Sequence, residues 1–361
     1  MIRRLALFLL LAILACQPSP ARQRQASDTG SVSIDTVPEL DIGAEDAAGS
    51  VVFMDVIDAT RLSSGVIVVA DRASHSLRFL TPQGALLREV GRKGAGPGEY
   101  DWLTSLEQCA PDSLFVLDQR QRRITVVDSA GKFIRQFGAP GESEAIRCTN
   151  PDTFIELGYP KEGGMFSADS PPTTAELTSY SSDGHPLHNF GLVPFGILRP
   201  LAARTTIAVS GGRVFVGPGD SAFVRVMTLS GTSLPAIVLG TTGRAVEPRH
   251  YTAEIEHILL FFRIPEDRER PREILLKIPA PKFLPAYREI FTDPTGAIWA
   301  VTSPLGEGVT VLEGADSLGR PLGELRIPLE LDVHEIGRDY LLGIAENASG
   351  DQRVLLYRIR R

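Results

Sequence analysis

The sequence predicts an all-β fold: a six-bladed β-propeller closed by an N-terminal strand, with one helical insertion between blades 4 and 5. Three observations predict it. A turn glycine recurs at Gly84, Gly131, Gly184, Gly231 and Gly319, at steps of 47, 53, 47 and 88 residues, and in the first three copies a second glycine follows seven residues on, at Gly91, Gly138 and Gly191. Between these glycines lie short apolar runs at strand period, and four short strands per ~45 residues is the signature of a propeller blade. The last copy holds only three strands, at 331–336, 340–345 and 353–359, while the strand-like segment SVSIDTVPELDI (31–42) has no blade of its own. Pairing the two closes the ring and removes exposed edges.

In chain order, Arg3 and Arg4 precede an apolar run at 5–14 and then Ile13-Leu14-Ala15-Cys16. Ten apolar residues are about half of what spans a bilayer, so 1–15 reads as a targeting segment. The order resembles a bacterial lipobox, which implies cleavage before Cys16 and a lipid on its thiol. Residues 16–30, rich in Pro, Ser and Gln, read as a flexible tether, and 31–361 as the propeller. Blade 1 is expected near 53–91. Its strand at Val66–Ala70 is apolar on both faces (Val66, Val68 and Ala70 on one, Ile67 and Val69 on the other), as in a strand buried on both sides. Thr81-Pro-Gln-Gly84 is a turn, with Pro fixing φ and Gly allowing a positive φ. Blade 2 follows at 103–138 and blade 3 at 144–191, with a surface loop near 159–174. Blade 4 lies near 203–240 and blade 5 near 287–327.

The 88-residue step leaves an insertion at about 241–283. Tyr251, Ile255, Ile258, Leu259 and Phe262 follow helical spacing and predict a helix over 248–263, ended by Pro265. A second short helix is expected near 271–278. The first helix cannot bury its stripe alone and is expected to dock on the propeller, with the charged run 266–273 outward. There residues 241–283 would cap one face and help to form a ligand site, the alternative being a structural ornament on the rim.

Composition excludes little beyond nucleic acid. The 361 residues are 43% hydrophobic and 22% charged, ordinary globular values. Losing 1–15 removes two arginines and no acid, taking the net charge from −7 to −9, and an acidic exported protein is a poor partner for nucleic acid. Of three cysteines, Cys16 belongs to the anchor. Cys109 and Cys148 remain in a compartment that permits disulfides. Both sit where an inner strand turns into the second strand of its blade, so a staple between blades 2 and 3 is attractive. Against it, aligning Asp112 with Asp152 sets Cys109 opposite Thr149, one residue out of register. Equivalent points on neighbouring blades can also exceed the ~7 Å Cα limit. The pairing stays open.

The blade pattern, the GRKGAGPGEY junction, the helical insertion before LPAYREIFTDPTGAIWAV and the closing VLLYRIRR resemble exported six-bladed propellers of the NHL-like, TolB-like group. The resemblance covers roughly 31–361. It implies architecture rather than activity, since members of that group differ widely in what they do.

Gly94-x-Gly96-x-Gly98 matches neither dinucleotide nor P-loop spacing and precedes a strand, so it reads as a loop between blades. His250, Glu254 and His257 share one helical face with metal-ligand spacing, but the same face borders the apolar stripe and reads equally as a solvated edge. Propeller enzymes place polar ligands on the innermost strands. The candidates here are Asp55, Asp58, Glu107, Arg147, Arg204, Arg288, Glu289 and His334. Gluconolactonase-like propellers bind a divalent metal through Glu, Asp and Asn. Of the three asparagines here, Asn150, Asn189 and Asn347, only Asn150 lies near an inner strand. There is no G-x-S-x-G and no Ser/His/Asp set. The expected function is therefore binding of a protein, peptide or glycan of the cell envelope, at the periplasm or cell surface, by a lipid-anchored monomer without cofactor or metal. The alternative is a channel-site enzyme of metal-dependent lactonase or hydrolase type.

Overall fold

The computed structural model describes residues 32–43, 51–110, 113–139, 143–150, 152–158, 173–195, 199–260, 262, 265–347 and 350–361. Cys16, the tether and the predicted loop of blade 3 up to 172 lie outside them. After β1 (Ser33–Ile34) and β2 (Leu40–Ile42), six sheets follow in chain order. Blade 1 is β3 (Val56–Arg61), β4 (Ile67–Asp71), β5 (Ser76–Leu80) and β6 (Leu86–Val90). Blade 2 is β7 (Leu103–Ala110), β8 (Ser113–Asp118), β9 (Arg123–Asp128) and β10 (Phe133–Gly138). Blade 3 is β11 (Ser143–Asn150), β12 (Thr153–Gly158), β13 (Thr173–Ser181) and β14 (Pro186–Phe195). Blade 4 is β15 (Thr206–Ser210), β16 (Arg213–Gly217), β17 (Phe223–Thr228) and β18 (Ser233–Val238). Helices α1 (Pro248–Leu259) and α2 (Glu269–Lys277) come next. Blade 5 is β19 (Glu289–Thr292), β20 (Ile298–Val301), β21 (Thr310–Ala315) and β22 (Pro321–Ile327). Blade 6 is β23 (Asp332–Ile336), β24 (Tyr340–Glu346) and β25 (Gln352–Arg360).

Every sheet is antiparallel, and the first strands of successive blades touch in a closed ring, β3–β7–β11–β15–β19–β23–β3. These six strands surround the channel. Strand period builds the core between blades. In β4, Ile67 and Val69 pack with Leu342, Ile344 and Val354 of blade 6, while Val68 and Ala70 pack with Leu103, Leu114 and Val116 of blade 2. Comparable apolar clusters fill the other seams among the described residues.

The repeated turns have a shared chemistry. Gly84, Gly131, Gly184, Gly231 and Gly319 all have φ between 78° and 91°, a region open to glycine at no steric cost. Three residues before each stands an oxygen-bearing side chain that caps the turn. Asp128 Oδ1 accepts the N–H of Ala130 (2.9 Å) and Lys132 (2.8 Å), and Asp316 Oδ1 accepts those of Leu318 and Arg320 (both 2.9 Å). Thr81, Ser181 and Thr228 act the same way through their hydroxyls. The aspartates ending VIVVAD and SLFVLD are fully buried. Asp118 accepts the N–H of Asp101 (2.6 Å) and Trp102 (3.2 Å) just before the inner strand of its blade, and Asp71 does the same for Met54 and Asp55. The glycine-rich junction is a linker between blades 1 and 2. Glu99 accepts the Gly96 N–H (2.8 Å), and the Arg123 guanidinium donates to the carbonyls of Ala95 (2.9 Å), Gly96 (3.1 Å) and Glu99.

The N-terminal strands close the ring. Ser33 and Ile34 pair with Arg360 and Ile359, and Leu40 to Ile42 pair with Leu356 to Val354. Three ion pairs run along this seam: Asp35–Arg360 (2.7 Å), Glu39–Arg358 (3.2 Å) and Asp41–Arg353. Surface pairs add little stability singly, but their order fixes one register.

The insertion departs from expectation in two ways. Helix α1 stops at Leu259, four residues before the predicted end, and the chain restarts as a 3₁₀ turn at Pro265–Arg268 that leads into α2. Proline lacks the N–H that would continue a helix. The apolar stripe also docks mainly on α2 rather than on the propeller. Ile255, Ile258 and Leu259 are buried with Leu275 and Ile278, with Tyr251 and Phe262 packed beside them. The Tyr251 hydroxyl donates to the Leu275 carbonyl (3.1 Å) and to that of Ile278. Two short amphipathic helices thus bury each other's stripes, and the charged run 266–273 is largely exposed, with Arg272 paired to Glu256. A short backbone ladder, Leu284 N–H to Arg244 O (2.8 Å) and Val246 N–H to Lys282 O (3.2 Å), ties off the stem. Helix α1 rests on the β20–β21 loop at Gly306, where an added Cβ would lie 3.0 Å from Arg249 O and 3.1 Å from Ala253 Cβ.

Candidate functional site

The inner strands enclose a polar cavity of about 540 Å³. Its charged wall comes from five blades: Asp58 on β3, Glu107 on β7, Arg147 on β11, Glu289 on β19, and Asp332, His334 and Glu335 on β23. Blade 4 contributes no charge, because β15 reads TIAVS.

These groups form two linked sets. Arg147 bonds Glu107 at 2.9 Å and stands 4.0 Å from Glu289. Burial raises the Glu107 carboxyl to about 7; the Arg147 charge and the Cys148 N–H pull it down, and the Asp58 charge pushes it up. Burial likewise raises Glu289 against the opposing pull of Arg147 and His334. In the second set His334 Nδ1 bonds Asp58 Oδ1 at 3.0 Å, while Asp58 also accepts the N–H of Ala59 and Leu106 (both 2.9 Å). Burial works against the His334 imidazolium, but the Asp58 hydrogen bond and the Asp58, Asp332 and Glu289 charges outweigh it, so its pKa is raised. Glu335, raised by burial, accepts the Tyr340 hydroxyl and the Arg61 N–H (2.7 Å).

A second cavity of about 180 Å³ lies under α1. It is lined by Arg204, Arg244, Arg288, Glu254 and Thr302, among others, and shares His257, Glu289 and Asp332 with the channel. The insertion therefore stands over one mouth of the channel. Arg288 Nε donates to the Ser303 carbonyl (3.0 Å), and Arg244 Nη2 donates to the Thr302 carbonyl (2.5 Å).

Of the sequence candidates, Asp58, Glu107, Arg147, Glu289 and His334 come together on the channel wall, and Arg204 and Arg288 join Glu289 under α1. Asp55 does not belong with them. It is buried in an ion pair with Arg72 at 2.6 Å, before the inner strand begins, and lines neither cavity. Cys109 and Cys148 form a disulfide between β7 and β11, with Cα atoms 5.0 Å apart, well inside the bridging range. Cys109 is the extra residue of a bulge between Gln108 and Ala110, and β11 bulges in the same way at Thr149, so the bridge joins positions that are one residue apart in blade register. Asp332, Glu335 and Arg244 were missed. The first two flank His334 on a strand whose charges face inward, and that density of charge was the available signal.

His250 is a helix-capping residue. Its Nδ1 accepts the Glu247 N–H (3.2 Å) and its Nε2 lies 3.4 Å from Glu307, so it leaves the face where Glu254 and His257 line the small cavity. Among the described residues no group of three His, Cys, Asp or Glu is placed to hold a metal. The asparagines do not serve as ligands in the channel either. Asn150 accepts the Asp152 N–H, Asn189 donates to Glu176, Asn347 donates to Asp351, and none lines a cavity. The Glu/Asp/Asn set of a gluconolactonase-like metal site does not fit these residues.

Fold and channel together define the class: a six-bladed β-propeller with a charged central cavity. No protein-family model and no curated protein matches the chain. Among solved structures, it is similar to a candidate exported protein of Bacteroides fragilis (12% identity, 93% of this chain and 98% of that one, TM-score 0.52). It is also similar to a DUF4221 family member from Bacteroides vulgatus (9% identity, 92% and 99%, TM-score 0.53). A gluconolactonase of Xanthomonas campestris aligns more loosely (11% identity, 89% and 99%, TM-score 0.44). Similarity at this level speaks for the fold alone.

Proposed function

We propose that the chain is an exported, lipid-anchored propeller of the NHL-like, TolB-like kind that binds a polar envelope partner at the channel mouth under α1. One observation carries this reading. The channel holds an open cavity of ligand size, yet its charged groups engage one another rather than a nucleophile. His334 is occupied by Asp58, and among the described residues no lining Ser or Thr hydroxyl bonds to His334 or His257. Paired charges around a cavity open to solvent suit the recognition of a polar ligand. The basic-then-apolar leader and Cys16 support export and anchoring.

The test measures thermal shifts of the purified protein with short peptides and with oligosaccharides, beside lactone and ester turnover before and after EDTA. Saturable stabilisation without turnover is expected. Chelator-sensitive turnover would overturn the reading in favour of a channel enzyme.

A further inference from the structure

We infer that the channel and the cavity under α1 form one bipartite site for a zwitterionic ligand, the free carboxyl end of a short peptide that also carries an ammonium group. The inference rests on the binding function proposed above and names its ligand class.

Continuity comes first: His257, Glu289 and Asp332 line both cavities, so a ligand can occupy the two at once. Charge grades from one to the other. Towards the channel lie Asp58, Glu107 and Glu335 with Arg147 and His334, whose side chains are already engaged by Glu107, Glu289 and Asp58. The shared Glu289 and Asp332 stand between, and the side under α1 carries Arg204, Arg244 and Arg288 against Glu254. Arg244 and Arg288 are oriented by bonds to the adjacent carbonyls of Thr302 and Ser303, and a guanidinium has five donors, so both keep donors for a carboxylate.

Glycan recognition is less well served. Phe291 and Tyr287, the aromatic rings on the two walls, are both buried in the core and offer no open face to a sugar.

Isothermal titration of the full chain with Ala-Lys and Ala-Ala-Lys tests this, against their C-terminal amides, their forms acetylated at both the N-terminus and the lysine Nε, free lysine and neutral oligosaccharides. Amidation and acetylation should each weaken binding at least about tenfold, the scale of one lost charge-assisted bond. Arg204→Met should weaken the free acid but not the amide, and Glu289→Gln should weaken the lysine peptide but not its acetylated form. Melting curves check that both variants fold. Equal affinity for blocked and free peptides would overturn the inference, as would failure of every peptide to bind. Binding of a neutral oligosaccharide in their place would overturn it while leaving the binding function intact. Cleavage of the peptides would overturn the binding function itself.

Discussion

Arg147 and Glu107 meet across the seam between blades 2 and 3, on strands that the Cys109–Cys148 disulfide also joins. Glu107 has its pKa raised by burial to about 7, so the fold favours its protonated form and stability erodes as pH rises from the unfolded value through 7. Arg147 limits that erosion by pulling the value down. Arg147→Met should therefore cost about 1.5–3 kcal/mol at pH 8 and clearly less at pH 5, where Glu107 is protonated in either protein. Urea melts at the two pH values check it, and an equal loss at both would contradict the assignment. Replacing both cysteines with alanine should cost about 2–4 kcal/mol, and two free thiols in non-reducing mass spectrometry of the native protein would remove the staple from the account. The sequence could nominate Asp58, Glu107 and His334 but could not orient them, because the inner strands bulge. Ile57, Thr104 and His334 are each the extra residue in a register shift of β3, β7 or β23. A one-residue shift moves every later side chain to the other face, so alternation counted along the sequence loses the channel wall. Asp55 was misplaced for a related reason, since it precedes that strand and serves an ion pair instead.

At the scale of elements, the turns were the most legible feature. A glycine at positive φ, with Thr81, Asp128, Ser181, Thr228 or Asp316 three residues ahead of it, repeats because each hairpin needs both the backbone freedom and the capping oxygen. The helices were legible in type but not in contact. The stripe on α1 announced that something must cover it, and only the fold shows that α2 does so. Closure by 31–42 followed from counting strands, and the described part of that segment pairs with β25 in register. Deleting 31–42 leaves β25 as an open edge, so the melting midpoint should fall by at least about 5 °C, with aggregation on heating. Deleting 18–29 should leave the midpoint unchanged. Equal stability of the two truncations would show that blade 6 closes without help.

At the scale of the whole molecule, a ring of six similar blades supplies rigidity, and the proposed function rests on parts outside the repeat. In that proposal the leader sets location. Cys16→Ser should shift the protein from membrane to soluble fractions and abolish acyl labelling, and unchanged partition would contradict the proposed anchor. The insertion brings Arg244, Glu254 and His257 to the channel mouth while carrying its own small core, so the ring does not need it in order to fold. That division makes the central claim, a ligand site shared by channel and cap, open to one measurement. Residues 243–281 are replaced by a short Gly/Ser linker, and melting midpoint and Ala-Ala-Lys affinity are measured side by side with the intact chain. The account predicts a folded ring, a midpoint within a few degrees of the original, and an affinity at least about tenfold weaker. A folded ring that binds the peptide with unchanged affinity, or an intact chain that does not bind it, would contradict it.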